Sequence, residues 1–390
     1  MLSPEDNDFF CRVGPGTPAG QLLRRYWRVV GAAAELDDVK PKKRVRVLGE
    51  DLVLYKDRSG GYGLVAEKCS HRGVSLYYGF VEKDGIRCPY HGWKYDACGR
   101  CVDQPFENPE AGFKAKIQHT AYPVEKLAGL LFAYMGPPEK KPLLPKWDLL
   151  VRNDGKKLID ICETLRCNWL QAMENSVDPT HTYYLHSHTL KLKGDPDHVP
   201  YLYRMLNKFD FEFVNYPTWA GIQKQRIFEG DDAPVETPHP LIFPNILFVP
   251  VRIGYAMHFR SPIDDTHTQV YQFRFSPSKD GSEVMQPENT PIEYVGTTDQ
   301  TGDFHMDNFT SQDHMAWETQ GPLADRTKEH LGEGDRGIVM YRKLLREQIQ
   351  AVQNGTDPIG VNFDPSKDEV IKLIHEDGYD AFSFAAARAG

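Results

Sequence analysis

Two cysteines and two histidines occur at a spacing that suits a metal centre. Cys69 and His71 are separated by one residue, and Cys88 and His91 are separated by two. Glycine and proline residues beside each pair predict loop tips between strands. Thiolate sulfur and imidazole nitrogen are ligands that both zinc and iron accept. The four side chains therefore predict a metal centre held by two neighbouring loops.

A second ligand set remains open at this point. Cys88 and His91 are followed by Cys98 and Cys101, and two cysteines with a further cysteine and a histidine would satisfy tetrahedral zinc. That set leaves Cys69 unexplained, and the six residues between His91 and Cys98 give little room for a two-loop zinc site. A third alternative is that these side chains only pack in a core and bind no metal.

The two loops resemble those of Rieske proteins. The matching segments are C-S-H-R, which begins at Cys69, and C-P-Y-H-G-W-K-Y, which begins at Cys88. In a Rieske 2Fe–2S cluster two cysteines hold one iron and two histidines hold the other. The resemblance covers residues 40–140 and implies such a cluster on Cys69, His71, Cys88 and His91.

A further group of ligand residues follows in the motif D-x2-H-x4-H, formed by Asp178, His181 and His186. Asp178 and His181 share a helix face, whereas a spacing of five carries His186 off the line of His181 on a regular helix. We therefore expect the segment to bend or end near Pro179, which lacks a backbone donor. Two histidines and one carboxylate can bind Fe(II) and leave positions open for O2 and substrate.

Together the two ligand sets resemble the α subunits of Rieske non-haem iron ring-hydroxylating oxygenases. The resemblance implies that His181 and His186 bind a mononuclear iron and that Asn175 lies close to it. It also implies that Asp178 links His181, by hydrogen bonds, to His91 of a neighbouring subunit. A homotrimer, or a stack of two trimers, is implied in turn, with the cluster of one chain beside the iron of the next.

The carboxylate ligand of the triad has to come from a distant part of the chain. The acidic candidates after residue 300 are Asp303, Asp307, Asp313, Glu318, Asp325 and Asp335. Asp313 is our prediction, because the pair Gln312-Asp313 is similar to the Q-D pair whose aspartate binds iron in the phthalate-type branch of the family. Spacing alone does not select it, since aspartate is common in a first helical turn. Asp325 is predicted to pair with Arg326 instead.

The surrounding pattern predicts an α+β fold made of two unlike units. Residues 1–27 read as a helical segment with Thr17 as an N-cap, and residues 28–140 as an all-β Rieske domain of short strands. A proline- and lysine-rich linker at 136–145 marks the boundary. Residues 141–390 are predicted to be a larger α+β catalytic domain whose antiparallel sheet is covered by helices, with residues 311–355 helical in character.

Composition narrows the classes of partner. The chain has 390 residues, 40% of them hydrophobic and 26% charged, which is typical of a folded globular protein. Its formal charge of −9 disfavours nucleic acid and anionic membrane as partners. The first residues lack the basic and then apolar pattern of a secretory signal, so cytoplasmic residence is expected.

The family resemblance implies the terminal oxygenase of a multicomponent system that uses O2. NADH would act through a separate reductase or ferredoxin, because no G-x-G-x-x-G fingerprint follows a predicted strand. The phthalate-type likeness favours an aromatic, carboxylated substrate that is hydroxylated or O-demethylated. Arg252 or Arg260 is a candidate to pair with that carboxylate, although surface positions suit them equally. The alternative function is a Rieske-type electron carrier without oxygenase activity of its own.

Overall fold

The computed structural model describes residues 1–192, 204–216, 218–230, 239–251 and 254–373. Arg252 lies outside these residues, so its predicted contact with a substrate carboxylate stays untested. Within the described part of the chain, no helix has both the length and the apolar character needed to cross a membrane. All seven cysteines are free thiols.

Two short helices open the chain, α1 (Pro4–Cys11) and α2 (Pro18–Leu23). Each begins with a proline that follows a capping hydroxyl. Ser3 accepts a hydrogen bond from the Asp6 amide at 3.0 Å, and Thr17 accepts one from the Gly20 amide at 3.3 Å. Proline fits the first helical position because the amide it lacks would have had no partner there. The predicted cap at Thr17 is confirmed.

Short strands follow and form three antiparallel sheets. The strands are β1 Arg28–Ala32, β2 Lys42–Val47, β3 Glu50–Lys56, β4 Tyr62–Ala66, β5 Phe80–Glu82, β6 Gly85–Arg87, β7 Lys94–Tyr95, β8 Cys101–Asp103, β9 Ala121–Tyr122, β10 Val124–Leu127 and β11 Leu130–Ala133. The sheet orders are β1-β11-β10, β2-β3-β4-β9 and β5-β6-β7-β8. The cluster loops are therefore the connections β4–β5 and β6–β7, which a common buried core joins.

The second half of the chain is built on an eight-stranded sheet. Its strands, with a separate two-stranded pair, are β12 Lys146–Trp147, β13 Gly155–Cys162, β14 Met205–Asn215, β15 Ala220–Phe228, β16 Leu241–Ile242, β17 Ile246–Val251, β18 Gly254–Pro262, β19 Thr268–Pro277, β20 Ile292–Val295 and β21 Val370–Ile371. The order is β14-β15-β16-β17-β18-β19-β13-β20. The predicted α+β class is confirmed, but β20 pairs with β13 in parallel, so the sheet is mixed rather than purely antiparallel.

The helices of this half lie against the sheet and against α2. They are α3 Asp148–Val151, α4 Trp169–Asn175, a π-helix at Thr182–His188, α5 Thr189–Leu192, α6 Phe309–Glu318 and α7 Arg336–Gln353. The region predicted to be helical at 311–355 contains two helices, α6 and α7, with non-helical residues between them. The break starts at Gly321, which has a φ of +95°, and Pro322 follows it. Neither residue continues a helix, because proline lacks the amide donor and glycine here is left-handed.

A buried ion-pair network fixes α4 in place. Glu174, on α4, binds Arg326 and Arg342, in each case with an N–O distance of 2.7 Å. The predicted pair of Asp325 with Arg326 is therefore wrong, and Asp325 binds Lys328 at 2.8 Å instead. The reason is burial: the Arg326 guanidinium lies in the interior and needs a buried carboxylate, whereas Asp325 is exposed. The network anchors the helix that leads directly to Asp178.

Candidate metal centres

The two cluster loops place sulfur inside the protein and nitrogen at its edge. Cys69 and Cys88 are buried in the core, whereas His71 and His91 are partly exposed. The two imidazole rings lie together, with their centroids 4.6 Å apart. The four predicted ligand residues are thus brought to one end of the β unit, with the histidines facing outward.

The two loops share a backbone geometry. In each loop, an amide four residues after the cysteine donates to the cysteine carbonyl, from Gly73 at 2.9 Å and from Gly92 at 3.2 Å. Both glycines have a φ of +74°. A side chain would strain the backbone at this φ, so glycine is required where each loop turns back on its ligand pair.

The zinc alternative does not fit this geometry. Four ligands on one zinc ion would lie within a few ångströms of one another. Among the described residues, no group that includes Cys98 or Cys101 gathers three ligand atoms within 4.8 Å. Cys98 is exposed, and the Cys101 sulfur lies 3.6 Å from the Asp103 carbonyl oxygen. The two extra cysteines therefore have separate surroundings.

Two aromatic residues that sequence reasoning did not single out support the cluster loops. The Tyr95 hydroxyl lies 3.1 Å from the Cys69 sulfur. Trp93 stacks on His71, with ring centroids 4.4 Å apart and planes 8° from parallel. Burial raises the pKa of Tyr95, so its hydroxyl stays protonated and can donate to a thiolate. Both residues belong to the motif C-P-Y-H-G-W-K-Y that begins at Cys88. Their closeness to the predicted ligands in the sequence was the signal that could have identified them.

Replacing Tyr95 with phenylalanine is expected to lower the reduction potential of the cluster. One hydrogen bond to sulfur, at about 1 kcal/mol, stabilises the electron-rich reduced state and corresponds to ~40 mV for a one-electron couple. A redox titration followed by electron paramagnetic resonance measures the shift. Tyr122→Phe is the matched control, because the Tyr122 hydroxyl binds Glu50 instead. An unchanged reduction potential in the Tyr95 variant would contradict a hydrogen bond from Tyr95 to the Cys69 sulfur.

The second candidate centre gathers three residues from two distant segments. Ligand atoms of His181, His186 and Asp313 all lie within 4.8 Å of one another. The Nε2 atom of His186 is 3.4 Å from the Oδ1 atom of Asp313. The first turns of α6 carry Asp313 to the π-helix. The structure thus brings together the three residues that the sequence analysis proposed as iron ligands.

The π-helix explains how a spacing of five works. An α-helix would rotate His186 away from His181, and the sequence therefore suggested a bend or an end. The expected bend is present: α4 ends at Asn175 and residues 179–180 form a bend, so Asp178 does not share a helix face with His181. Beyond the bend, residues 182–188 adopt i→i+5 hydrogen bonding, which widens each turn and returns the fifth residue to the same face. The two imidazole centroids are 5.1 Å apart. The π-helix that follows the bend therefore aligns the two imidazoles.

The polar atoms of this triad are suited to a cation. Asp313 Oδ1 is buried and has no hydrogen-bond partner. Burial lowers the pKa of His186, which keeps the imidazole neutral near pH 7 and leaves a lone pair for a metal. Two histidines and one carboxylate are the donor set that non-haem Fe(II) accepts. The residues present therefore fit a mononuclear iron.

Asp178 lies beside the triad without joining it. Its Oδ1 atom accepts hydrogen bonds from the Thr180 amide at 2.7 Å and hydroxyl at 2.6 Å. Its Oδ2 atom is 3.4 Å from His181 Nδ1. Burial alone would raise the pKa of Asp178, but His181 and Thr180 lower it well below its ordinary value. Asp178 is thus a carboxylate held against one candidate ligand.

Other predicted or unexpected residues surround the triad. Arg260, a candidate for a substrate carboxylate or for the surface, is instead buried and donates to the Ala172 carbonyl and the Ser176 hydroxyl. It therefore holds the end of α4. Phe309, which sequence reasoning missed, stacks near His186 with a centroid distance of 4.6 Å. Phe309 is exposed, so one face of its ring meets a candidate iron ligand while the rest of the side chain meets solvent.

The fold and the two sites together define a class of protein. An all-β unit carries a two-cysteine, two-histidine set, and an α+β unit carries a two-histidine, one-carboxylate set. The first suits a Rieske cluster and the second an oxygen-activating ferrous ion. Their presence in one chain defines a Rieske-type non-haem iron oxygenase.

Comparison with known proteins gives the family. Residues 26–123 match the Rieske 2Fe-2S domain, and residues 294–372 match the family described as LigXa C-terminal domain like. The chain is 40% identical over 386 residues to the 5,5'-dehydrodivanillate O-demethylase oxygenase subunit of Sphingobium sp. (strain NBRC 103272 / SYK-6), covering 97% of this chain and 88% of that protein. It is 35% identical to the phenoxybenzoate dioxygenase subunit alpha of Ectopseudomonas oleovorans, covering 93% and 88%. The chain belongs to the α subunits of the Rieske non-haem iron oxygenases.

Solved structures show the same fold. The terminal oxygenase of carbazole 1,9a-dioxygenase from Nocardioides aromaticivorans IC177 superposes with a TM-score of 0.66 at 21% identity, covering 90% of this chain and 98% of that one. The protein is the terminal oxygenase component of a multicomponent Rieske oxygenase and uses a Rieske cluster, a mononuclear iron and O2. The relatives therefore support an oxygenase over the electron-carrier alternative.

Proposed function

We propose that this subunit hydroxylates or O-demethylates an aromatic carboxylic acid. In this proposal His181, His186 and Asp313 hold the iron, while the cluster is held by Cys69, His71, Cys88 and His91. The convergence of the first three residues to within 4.8 Å carries the proposal, because it supplies the oxygen-activating site that an electron carrier would lack. When bound, the iron activates O2 with electrons from the cluster.

The names of the relatives support the substrate class. The two relatives described above are named for dehydrodivanillate and phenoxybenzoate, and a third, 30% identical over 92% of this chain, is the phthalate 4,5-dioxygenase oxygenase subunit of Pseudomonas putida. All three names denote aromatic carboxylates. O-demethylation of such a compound consumes O2, two electrons and two protons, and it yields a phenol, formaldehyde and water.

Some residues of this chain would hold the iron, and others position the residues that hold it. The triad residues would hold the iron, and the Phe309 ring packs beside the His186 imidazole. Asp178 orients His181 and keeps a negative charge next to it. The Glu174 network and Arg260 both fix the C-terminal end of α4, so the segment that carries Asp178 and His181 leaves that helix from a rigid support.

We further propose that electrons cross between subunits of a homotrimer. His71 and His91 form the outer edge of the cluster loops, and the exposed Tyr90 ring packs on His91 with a centroid distance of 3.8 Å. An outward histidine edge suits transfer to a neighbouring chain, whose Asp178 would receive the His91 contact. A reductase or ferredoxin would reduce the cluster at the expense of NADH.

Metal analysis and turnover test the proposed function. The purified protein is expected to contain about three irons and about two sulfides per chain, two irons in the cluster and one at the triad. With a reductase and NADH, methoxybenzoates and methoxylated biaryl acids should release formaldehyde, whereas phenoxybenzoates and phthalates test hydroxylation. An iron content of about two per chain, or an absence of turnover across the panel, would contradict the proposal.

A further inference from the structure

Gln312 occupies a buried position between the two segments that form the triad. It lies on α6 directly before Asp313, and none of its surface is exposed. Its Oε1 atom is 2.8 Å from Nδ1 of His186, 126 residues earlier in the chain. Its Nε2 atom donates to the Met306 carbonyl at 3.2 Å. One side chain therefore contacts both a candidate ligand and the loop that leads into α6.

The two contacts of Gln312 fix which nitrogen of His186 carries the proton. The Met306 carbonyl can only accept, so it requires the amide nitrogen of Gln312 on its side. The amide oxygen must then face His186, and because that oxygen can only accept, Nδ1 of the neutral imidazole must donate. The lone pair is left on Nε2, which points at the Asp313 carboxylate.

This arrangement places two acceptors opposite each other. The unprotonated Nε2 of His186 and Oδ1 of Asp313 lie 3.4 Å apart, and Oδ1 has no hydrogen-bond partner. Without a cation between them, the lone pairs repel, and a buried acceptor without a partner is unfavourable. The opposite tautomer would relieve the repulsion by donating from Nε2 to Asp313, and that contact would close the site.

We propose that Gln312 is a positioning residue that locks His186 in the tautomer needed to bind iron. Its amide prevents the imidazole from donating to Asp313 and so keeps the triad open for the metal. This inference rests on the proposed role of His186 as an iron ligand. In other proteins, mutation of the residues that hydrogen-bond to metal-bound histidines changes metal affinity by about 10- to 100-fold.

The competing interpretation is that Gln312 only packs α6 against the loop that contains Met306. Two variants separate these roles. Gln312→Leu removes the acceptor at similar volume, whereas Gln312→Glu keeps an oxygen acceptor for Nδ1 but cannot donate to Met306. A positioning role predicts that the Glu variant keeps iron and the Leu variant does not. A packing role predicts damage in both, since the Glu variant buries an unpaired charge.

The experiment measures ferrous iron affinity at the mononuclear site by chelator competition in the cluster-loaded, full-length protein. Gln312→Leu should bind iron about 10- to 100-fold more weakly, with the Rieske absorption and circular dichroism unchanged. Gln312→Glu should bind at least as tightly as the wild type. Gln320→Leu is the matched control, because Gln320 is exposed just beyond α6 and binds only the Ala316 carbonyl at 2.9 Å.

The outcomes separate this inference from the proposed function. Wild-type affinity in Gln312→Leu, or equal loss in the Leu and Glu variants, overturns the positioning role. If the Leu variant does not fold, the Glu variant decides. Retention of iron by Gln312→Glu supports the positioning role, whereas loss of iron overturns it. His186→Ala provides the independent reference: full iron in that variant would refute the ligand assignment itself, whereas loss there with normal Gln312 variants would refute only this inference.

Discussion

The His186→Ala variant is expected to lose its mononuclear iron while keeping its 2Fe–2S cluster. In the proposed site His186 supplies one of three ligand atoms, and alanine offers no donor at that point. Loss of a direct ligand should exceed the ~10- to 100-fold effect of outer partners on affinity, so product formation should fall to the background level. The cluster should survive, because its predicted ligands all lie between residues 69 and 91, on other loops.

The measurement compares total iron with acid-labile sulfide in the purified variant. We expect about two irons and about two sulfides per chain, an unchanged Rieske electron paramagnetic resonance signal and no turnover. His330→Ala serves as the control, because His330 is exposed on a loop and should leave both metal contents intact. A His186→Ala protein with about three irons per chain would show that another residue binds the metal.

The Asp178→Asn variant is expected to give the opposite result, with both metal sites filled and turnover strongly slowed. Asparagine keeps the size of the side chain and the acceptor oxygen that Thr180 binds. What it removes is the negative charge 3.4 Å from His181. At an effective dielectric constant of about 20, one charge pair at ~4 Å is worth about 4 kcal/mol, an upper bound of ~10³-fold on a rate.

Single-turnover kinetics identify the step that slows. Protein with a reduced cluster is mixed with O2 and substrate, and the return of the oxidised cluster absorbance is followed. In Asp178→Asn, cluster oxidation should slow by about 10²- to 10³-fold, because the carboxylate no longer stabilises the imidazole as charge moves. Cluster oxidation at the wild-type rate would remove Asp178 from the electron path.

Asp325→Asn is a closely matched control for this experiment. Asp325 accepts from the amide and the hydroxyl of Thr327, two residues later, in the same local pattern that joins Asp178 to Thr180. It is exposed and pairs with Lys328 rather than with a histidine. Its replacement changes the same chemical group in the same turn, and turnover should stay at the wild-type rate.

Much of the candidate site was accessible from the sequence because its ligands are close in the chain. The cysteine and histidine pairs of each loop are separated by one or two residues, and glycine at Gly73 and Gly92 marks where each loop turns. His181 and His186 could also be paired on chemistry alone. The π-helix that aligns them was not foreseen, because its extra residue per turn depends on how the segment packs and not on a distinct composition.

Long-range partners were less accessible. Asp313 was proposed only through a family resemblance, since many acidic residues follow position 300. The partner of Arg326 was predicted incorrectly, because the adjacent Asp325 is exposed while the distant Glu174 is buried with it. Arg260 was considered for substrate or surface, yet it is buried against the end of α4. Burial decided the contacts of both arginines.

The sequence by itself determined which atoms are available to bind metal and the order in which they occur. Ligand chemistry is a property of side-chain type, and short spacings hold each pair close whatever the rest of the chain does. The tertiary structure alone decided which distant groups complete the sites: Asp313 reaching His186, Gln312 orienting that imidazole, and Tyr95 donating to Cys69. These contacts exist because helices and sheets pack in one arrangement, and local sequence does not encode the distances that packing creates.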